Sequence, residues 1–238
     1  MAFCKFVGDR SILVKFEEEI SWEVNEKVRG LNFMLQESSL PEIVDIIPAY
    51  CSLLIIYDPF TTDRENLLKK VQRLTEDIKT IELPKPREIT IPVKYGDEEG
   101  PDLEFVADYN DLTIKEVIDI YSTAEYRVFM LGFTPGFPYL GGMSKKISTP
   151  RLKEPRKSIP GGSVGIAGEQ TGIYPISSPG GWRIIGKTPL NLFDVEKDPA
   201  FLLSVGDIIK FTSVKKEKYE EIKNKVNFGE FEAEITRR

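Results

Sequence analysis

The sequence contains no histidine. That removes the commonest general base and metal ligand at neutral pH, and it excludes Ser-His-Asp and Cys-His catalysis within one chain. Only two cysteines are present, Cys4 and Cys51. Both stand in apolar, strand-like surroundings and read as small core residues, so neither a disulfide framework nor a zinc site is expected. No apolar run approaches the roughly 20 residues of a membrane span. The first residues lack an apolar segment followed by a small-residue cleavage site, so a cytoplasmic protein is expected. The net charge of −6 argues against nucleic acid as the main partner. No internal repeat of 20–50 residues is visible.

Charge is also missing locally. Residues 158–182 read SIPGGSVGIAGEQTGIYPISSPGGW and carry one formal charge, Glu169. At the chain average of 29% charged residues, about seven would be expected there. The stretch holds too much Gly, Pro and Ser for a packed helix. It is too apolar for a disordered linker. Tight turns between short strands remain, with backbone approached closely by its neighbours. A recognition surface on a β scaffold fits that description.

The first part of the chain reads as a small α+β unit. Phe6 to Phe16 alternates around Gly8-Asp9, a hairpin pattern. Ser21 is placed to cap a helix whose Val24, Val28, Leu31 and Leu35 share one face. Residues 43–58 are strand material broken near Pro48. Thr62 and Glu65 match a capping box ahead of a second amphipathic helix through Leu67, Val71, Leu74 and Ile78. Leu83-Pro84-Lys85-Pro86 is a stiff linker, so domains of 1–85 and 86–238 are expected.

The second unit opens with a strand, REITIPVKY, and a turn with an acidic cluster, Gly96 to Asp102. Thr113 and Glu116 form another capping box, with Leu112 and Val117 as a hydrophobic staple, for a helix ending near Ser122. Tyr126 to Phe133 reads as a buried strand. Twelve of the eighteen glycines lie between Gly132 and Gly186. Ile184-Ile185 and Phe201 to Phe211, the latter around Gly206-Asp207, supply further strands. Tyr219, Ile222 and Val226 indicate a closing helix. The fold class is α+β, with a two-layer N-terminal unit followed by a mainly-β barrel.

Four segments could carry chemistry. Gly181 to Thr188 satisfies G-x-x-x-x-G-K-[ST], yet a turn precedes it and Pro189 follows it, so it reads as a strand ending in a turn rather than a phosphate loop. Gly132 to Met143 holds Phe133, Phe137 and Tyr139 between glycines and prolines, Pro135 among them. Rings fixed in this way could wall a pocket or cap a barrel end. Arg151 and Arg156 are planar cations suited to carboxylate or phosphate, or merely solvated. Glu169-Gln170-Thr171 places an acid, an amide and a hydroxyl in a neutral stretch. A carboxylate in apolar surroundings has its pKa raised and could act as acid or base; it could equally lock loops by pairing with Arg151 or Arg183.

Taken together, GFTPGFPYLGGM, TPR at 149–151, PGGSVGIAGEQTGIYP at 160–175 and SPGGWRIIGKTP at 178–189 closely resemble one family. It is the family of the 5-oxoprolinase B subunit and KipI, also described as allophanate hydrolase subunit 1 or carboxyltransferase subdomains C and D. Gly8-Asp9-Arg10 and the Ile47 to Leu54 segment resemble its N-terminal motifs. The resemblance implies a cyclophilin-like barrel over 86–238. It also implies a complex with the 5-oxoprolinase C and A subunits that opens 5-oxoproline to glutamate at the expense of ATP with Mg. Alternatives within it are inhibition of a sensor histidine kinase, or a part in a urea- or allophanate-type system. No biotin-acceptor segment is present. By motif position, Arg151, Glu169 and Gln170 are the expected catalytic residues. Phe133, Pro135, Phe137, Tyr139, Thr171, Tyr174, Trp182, Arg183 and Tyr121 are the expected substrate or partner pocket. Tyr121 stands where many relatives carry histidine, and Lys187 where many carry arginine.

Overall fold

The computed structural model describes residues 2–78 and 83–237. The chain divides into two compact units, Met1–Lys85 and Pro86–Arg238. In the first, strands β1 (Phe3–Phe6), β2 (Ser11–Lys15), β3 (Ile43–Pro48) and β4 (Ser52–Tyr57) form an antiparallel sheet in the order β1-β2-β4-β3. Alternation buries Ile12 and Val14 of β2 and Leu53, Ile55 and Tyr57 of β4 on one face. Helices α1 (Trp22–Glu37) and α2 (Arg64–Asp77) cover that face with Val24, Val28, Leu31, Leu35, Leu67 and Val71.

Ser21 caps α1 by accepting a hydrogen bond from the Val24 amide at 3.3 Å. The cap of α2 is one residue later than the Thr62 expected. Asp63 accepts from Asn66 N at 3.1 Å, and Thr62 Oγ1 is buried with no hydrogen-bond partner among the described residues. A carboxylate competes well with a hydroxyl for this position, because it also faces the positive end of the helix dipole. Cys4 and Cys51 are free and only partly buried.

The second unit is a closed barrel. Its strands are β5 (Arg87–Tyr95), β6 (Glu125–Leu131), β7 (Pro138–Gly141), β9 (Ser163–Ala167), β10 (Gln170–Ile173), β12 (Arg183–Lys187) and β13 (Ile208–Ser213). They run in the order β12-β9-β10-β7-β6-β13-β5, and β12 pairs back onto β5 to close the ring. Among the described residues, only β13 and β5 pair in parallel. Strand β14 (Ile235–Arg237) extends β5 outside the ring, and β8 (Arg156–Ile159) pairs with β11 (Ser178–Gly180) as a separate two-stranded sheet.

Interior side chains alternate with exterior ones along the barrel strands. Ile89, Ile91, Val93, Val128, Leu140, Val164, Ile166, Ile173, Ile185 and Ile209 belong to one core. Helix α4 (Ile114–Thr123) starts at the expected Thr113–Glu116 capping box. Helix α5 (Lys216–Asn227) buries Tyr219 and Ile222. Two expectations fail in this unit. The turn ending at Asp102 leads into helix α3 (Leu103–Tyr109), where no helix is expected from sequence. Phe201 lies in an isolated bridge to Phe193 and the strand starts only at Ile208, because Asp207 holds the turn by accepting from Arg87 and from Ser204 N.

Candidate functional site

The neutral, Gly-rich stretch is explained by strand alternation. Val164 and Ile166 on β9, and Ile173 on β10, fill the barrel. Gly165 and Gly172 take the alternate positions, where a layer of aromatic rings lies on the barrel wall. A Cβ on Gly172 would stand 3.0 Å from the Phe137 ring, and one on Gly165 would stand 3.2 Å from Trp182 Cβ. The Gly172 Cβ would also stand 2.4 Å from the Pro138 carbonyl oxygen, so glycine is what lets the rings and the neighbouring strand lie this close.

The rings pack edge to face around Phe137, except Tyr139, which is tilted. Phe137 is at the centre, with ring centroids 4.9 Å from Tyr139, 5.1 Å from Tyr174, 5.4 Å from Trp182 and 5.7 Å from Phe133. Phe137, Tyr174 and Trp182 are buried, whereas Phe133 is 62% exposed and held at φ +66. A bulky residue in the left-handed region is strained, and such strain gathers where side chains must be presented. These five rings, Arg151 and the Pro179–Gly181 backbone line a cavity of about 260 Å³ between the barrel wall and the two-stranded sheet.

Arg151 supplies the formal charge in this lining. Its Nη2 donates to Gln170 Oε1 at 3.1 Å, and its guanidinium carbon lies 6.0 Å from the Trp182 ring centroid. The Gln170 amide thus orients a cation over an aromatic floor. Burial holds the Tyr139 phenol above its ordinary pKa, with Arg151 opposing the shift. Burial, then neighbouring Tyr139, push Tyr174 up to about 12 against the opposing pull of Arg151. Both phenols are protonated at neutral pH and can donate. The cup therefore offers one cation, neutral donors and apolar walls, the means to hold a small anion-bearing ring.

The expected residues divide sharply. Phe133, Phe137, Tyr139, Tyr174, Trp182 and Arg151 meet in this cavity, with Gln170 behind Arg151. Tyr121 and Thr171 lie in the barrel interior instead. Tyr121 Oη and Thr171 Oγ1 are 2.7 Å apart, Thr171 also donates to Gly165 O, and burial raises the Tyr121 phenol. Pro135 is exposed beside the cup but outside its lining. Arg183 stacks 3.7 Å over the Phe105 ring and lies 3.7 Å from Asp102.

Glu169 stands apart from the cup. Its side chain is 56% exposed and pairs with Lys145 at 3.4 Å, not with Arg151 or Arg183, and it is not in the cavity lining. The segment from Gly181 to Thr188 is strand β12 and a turn, with no helix at Lys187, so a phosphate loop is absent there. Among the described residues, no group of three or more His, Cys, Asp and Glu could hold a metal.

Asp102 was invisible as a site-building residue. It is buried and accepts two bonds from Arg156, at 2.8 and 2.9 Å, and one from Ile184 N at 2.7 Å. It thereby fixes β8 and the strand that follows Trp182. Its sequence signal, one acid in an acidic turn, does not distinguish it from its neighbours.

Residues 3–203 match the family described as carboxyltransferase domain, subdomain C and D. The chain is 45% identical to the 5-oxoprolinase B subunit of Bacillus subtilis (strain 168), over 93% of this chain and 96% of that protein. A conserved uncharacterized protein from Pyrococcus horikoshii is also 45% identical, and the match covers 91% of this chain and all of that one at a TM-score of 0.55. Kluyveromyces lactis urea carboxylase shares the fold at a TM-score of 0.82 and 22% identity, over all of this chain and 24% of that one. The chain belongs to the carboxyltransferase subdomain C and D family, that of the 5-oxoprolinase B subunits.

Proposed function

We propose that this chain is the B subunit of a cytoplasmic, ATP-dependent 5-oxoprolinase that opens 5-oxoproline to glutamate together with the C and A subunits of that enzyme. The observation that carries the reading is one guanidinium at the mouth of an otherwise uncharged aromatic cup, in a chain 45% identical to a 5-oxoprolinase B subunit. 5-Oxoproline is a five-membered lactam bearing one carboxylate. Arg151 holds that carboxylate, and the ring lies against Trp182 and Phe137. Gln170 positions Arg151 through the bond at 3.1 Å and is a positioning residue rather than a catalytic one.

A lactam carbonyl is a poor electrophile because its nitrogen donates into it. Phosphorylation of the amide oxygen by ATP would remove that resistance, and the transferred group would need cationic stabilisation. In this cup, Tyr139 is the neutral donor suited to the lactam oxygen, since its raised phenol pKa keeps the proton in place. The cup supplies no carboxylate base, so water activation is assigned to the partner chains.

The test is copurification with candidate A and C subunits, followed by an assay of ATP-dependent glutamate release from 5-oxoproline. Release by the complex, with none from this chain alone, supports the reading. A stable complex without release, or full turnover by this chain alone, overturns it.

A further inference from the structure

We propose that Lys187, together with Lys223 and Arg156, forms a second site on the barrel, one that binds a phosphate-class oxyanion. A cavity of about 280 Å³ lies between the end of β12, helix α5 and strand β8. Lys187, Lys223, Arg156, Ser163 and Tyr219 line it, together with Glu98 and Glu99. Arg151 and the aromatic cup are not part of it.

The reason lies in strand register. Lys187 pairs directly with Lys94 on β5 and with Ser163 on β9. Residues directly opposite in an antiparallel pair share a face at close range, and like charges so placed are destabilising. Lys94 is neutralised by Glu99 at 2.7 Å and Asp97 at 2.9 Å. Glu99 is thereby committed, and Glu98 is exposed. Lys187 makes no ion pair or hydrogen bond through its side chain among the described residues. Lys223 stands near it from α5, 3.5 Å from Glu220 and 5.9 Å from the Tyr219 ring centroid. Burial, then Lys223, hold the Lys187 ammonium below its ordinary pKa, with Glu99 opposing them.

A partly buried, unpaired ammonium beside a second one is costly unless an anion completes it. Arg156 is already fixed by Asp102 and adds a planar donor at the same cavity. Three cations from three elements, with a serine opposite, suit a multiply charged tetrahedral oxyanion better than a single carboxylate. Lys187 is the lysine of the G-x-x-x-x-G-K-T segment. Its phosphate affinity would come from the barrel wall and α5, not from a loop wrapped around the ligand.

The inference does not depend on 5-oxoproline turnover, because it can be read on the full chain alone. Trace acetylation of lysines, followed by peptide mass spectrometry, is run with inorganic phosphate, with ADP, or with sodium chloride or acetate at matched ionic strength. Lys187 should label readily. Phosphate or ADP should slow it roughly tenfold once about nine-tenths of the sites are filled, while exposed Lys146 is unchanged. Protection by phosphate identifies the phosphoryl group alone as sufficient; protection by ADP only identifies a nucleotide as the source. No protection by either, or equal protection by chloride or acetate, overturns the site. In calorimetry with the protecting ligand, Lys187→Met should weaken binding at least about tenfold and Lys187→Arg should retain it. Unchanged binding to a folded Lys187→Met variant also overturns it. Should that variant not fold, the wild-type labelling decides.

Discussion

Replacing Asp102 by asparagine tests whether one buried carboxylate holds the walls of both cavities. Asp102 accepts two bonds from Arg156 and one from the Ile184 amide, and Arg183 lies 3.7 Å away. Asparagine keeps the shape, removes the charge and turns one acceptor into a donor facing other donors. Breaking a buried ion pair costs about 3–5 kcal/mol. The Arg156 side chain is 32% exposed and can regain water, so about 2–3 kcal/mol is expected here. For a chain of this size that lowers Tm by about 5–10 °C. Trp182 reports the barrel directly once Trp22 is replaced by phenylalanine, because the sequence has two tryptophans. Urea unfolding of Asp102→Asn in that background gives the loss. Glu104→Gln, on the surface of α3, is the control and should stay within about 0.5 kcal/mol. Asp102→Asn combined with Arg156→Met should cost less than the sum of the single changes, by about 1–3 kcal/mol. A loss below about 0.5 kcal/mol for Asp102→Asn would refute the bracing role.

The remaining predictions concern the cup and the acid limb. Gly172→Ala presses a methyl onto the Phe137 ring and the Pro138 carbonyl; it should destabilise the barrel by about 1–3 kcal/mol and alter the near-ultraviolet circular dichroism. In the Trp22→Phe background, saturating 5-oxoproline should shift Trp182 emission, and Arg151→Ala should abolish the shift without changing the urea midpoint by more than about 0.5 kcal/mol. Burial opposes ionisation of Glu99, but its bond from Lys94 outweighs that and holds the carboxyl below its ordinary pKa. A lowered acid contributes stability above the ordinary carboxylate range and loses it as pH falls through the lowered value, so Glu99→Gln should flatten the stability curve below about pH 4. An unchanged acid limb would contradict the pair.

What the sequence revealed depended on the range of the interaction. The Thr113–Glu116 box and the Val24-Val28-Leu31-Leu35 face are local, and both are where expected. Helix α3 was hidden because its seven residues span too few turns for a periodic signal, and its buried Leu103, Val106 and Ala107 follow an acidic turn. The cup was legible as a set of rigid rings, since Gly and Pro around Phe133, Phe137 and Tyr139 announce presented side chains. Thr171 was misplaced for a geometrical reason. It follows Gln170 in sequence, yet alternation along β10 sends it into the barrel while Gln170 meets Arg151 outside. Glu169 was misplaced because neutrality along the chain is not neutrality in space: Lys145, from a distant 3₁₀ turn, stands beside it. Asp102 and Arg156 are far apart in sequence, and nothing local to either indicates their pairing.

The most direct measurement is glutamate release by the assembled complex carrying Arg151→Ala. A hydrogen bond to a charged group contributes about 1.5–3 kcal/mol, so kcat/KM for 5-oxoproline should fall at least about tenfold, with complex assembly intact. Turnover equal to wild type in an assembled complex would show that the aromatic cup is not where the substrate carboxylate binds.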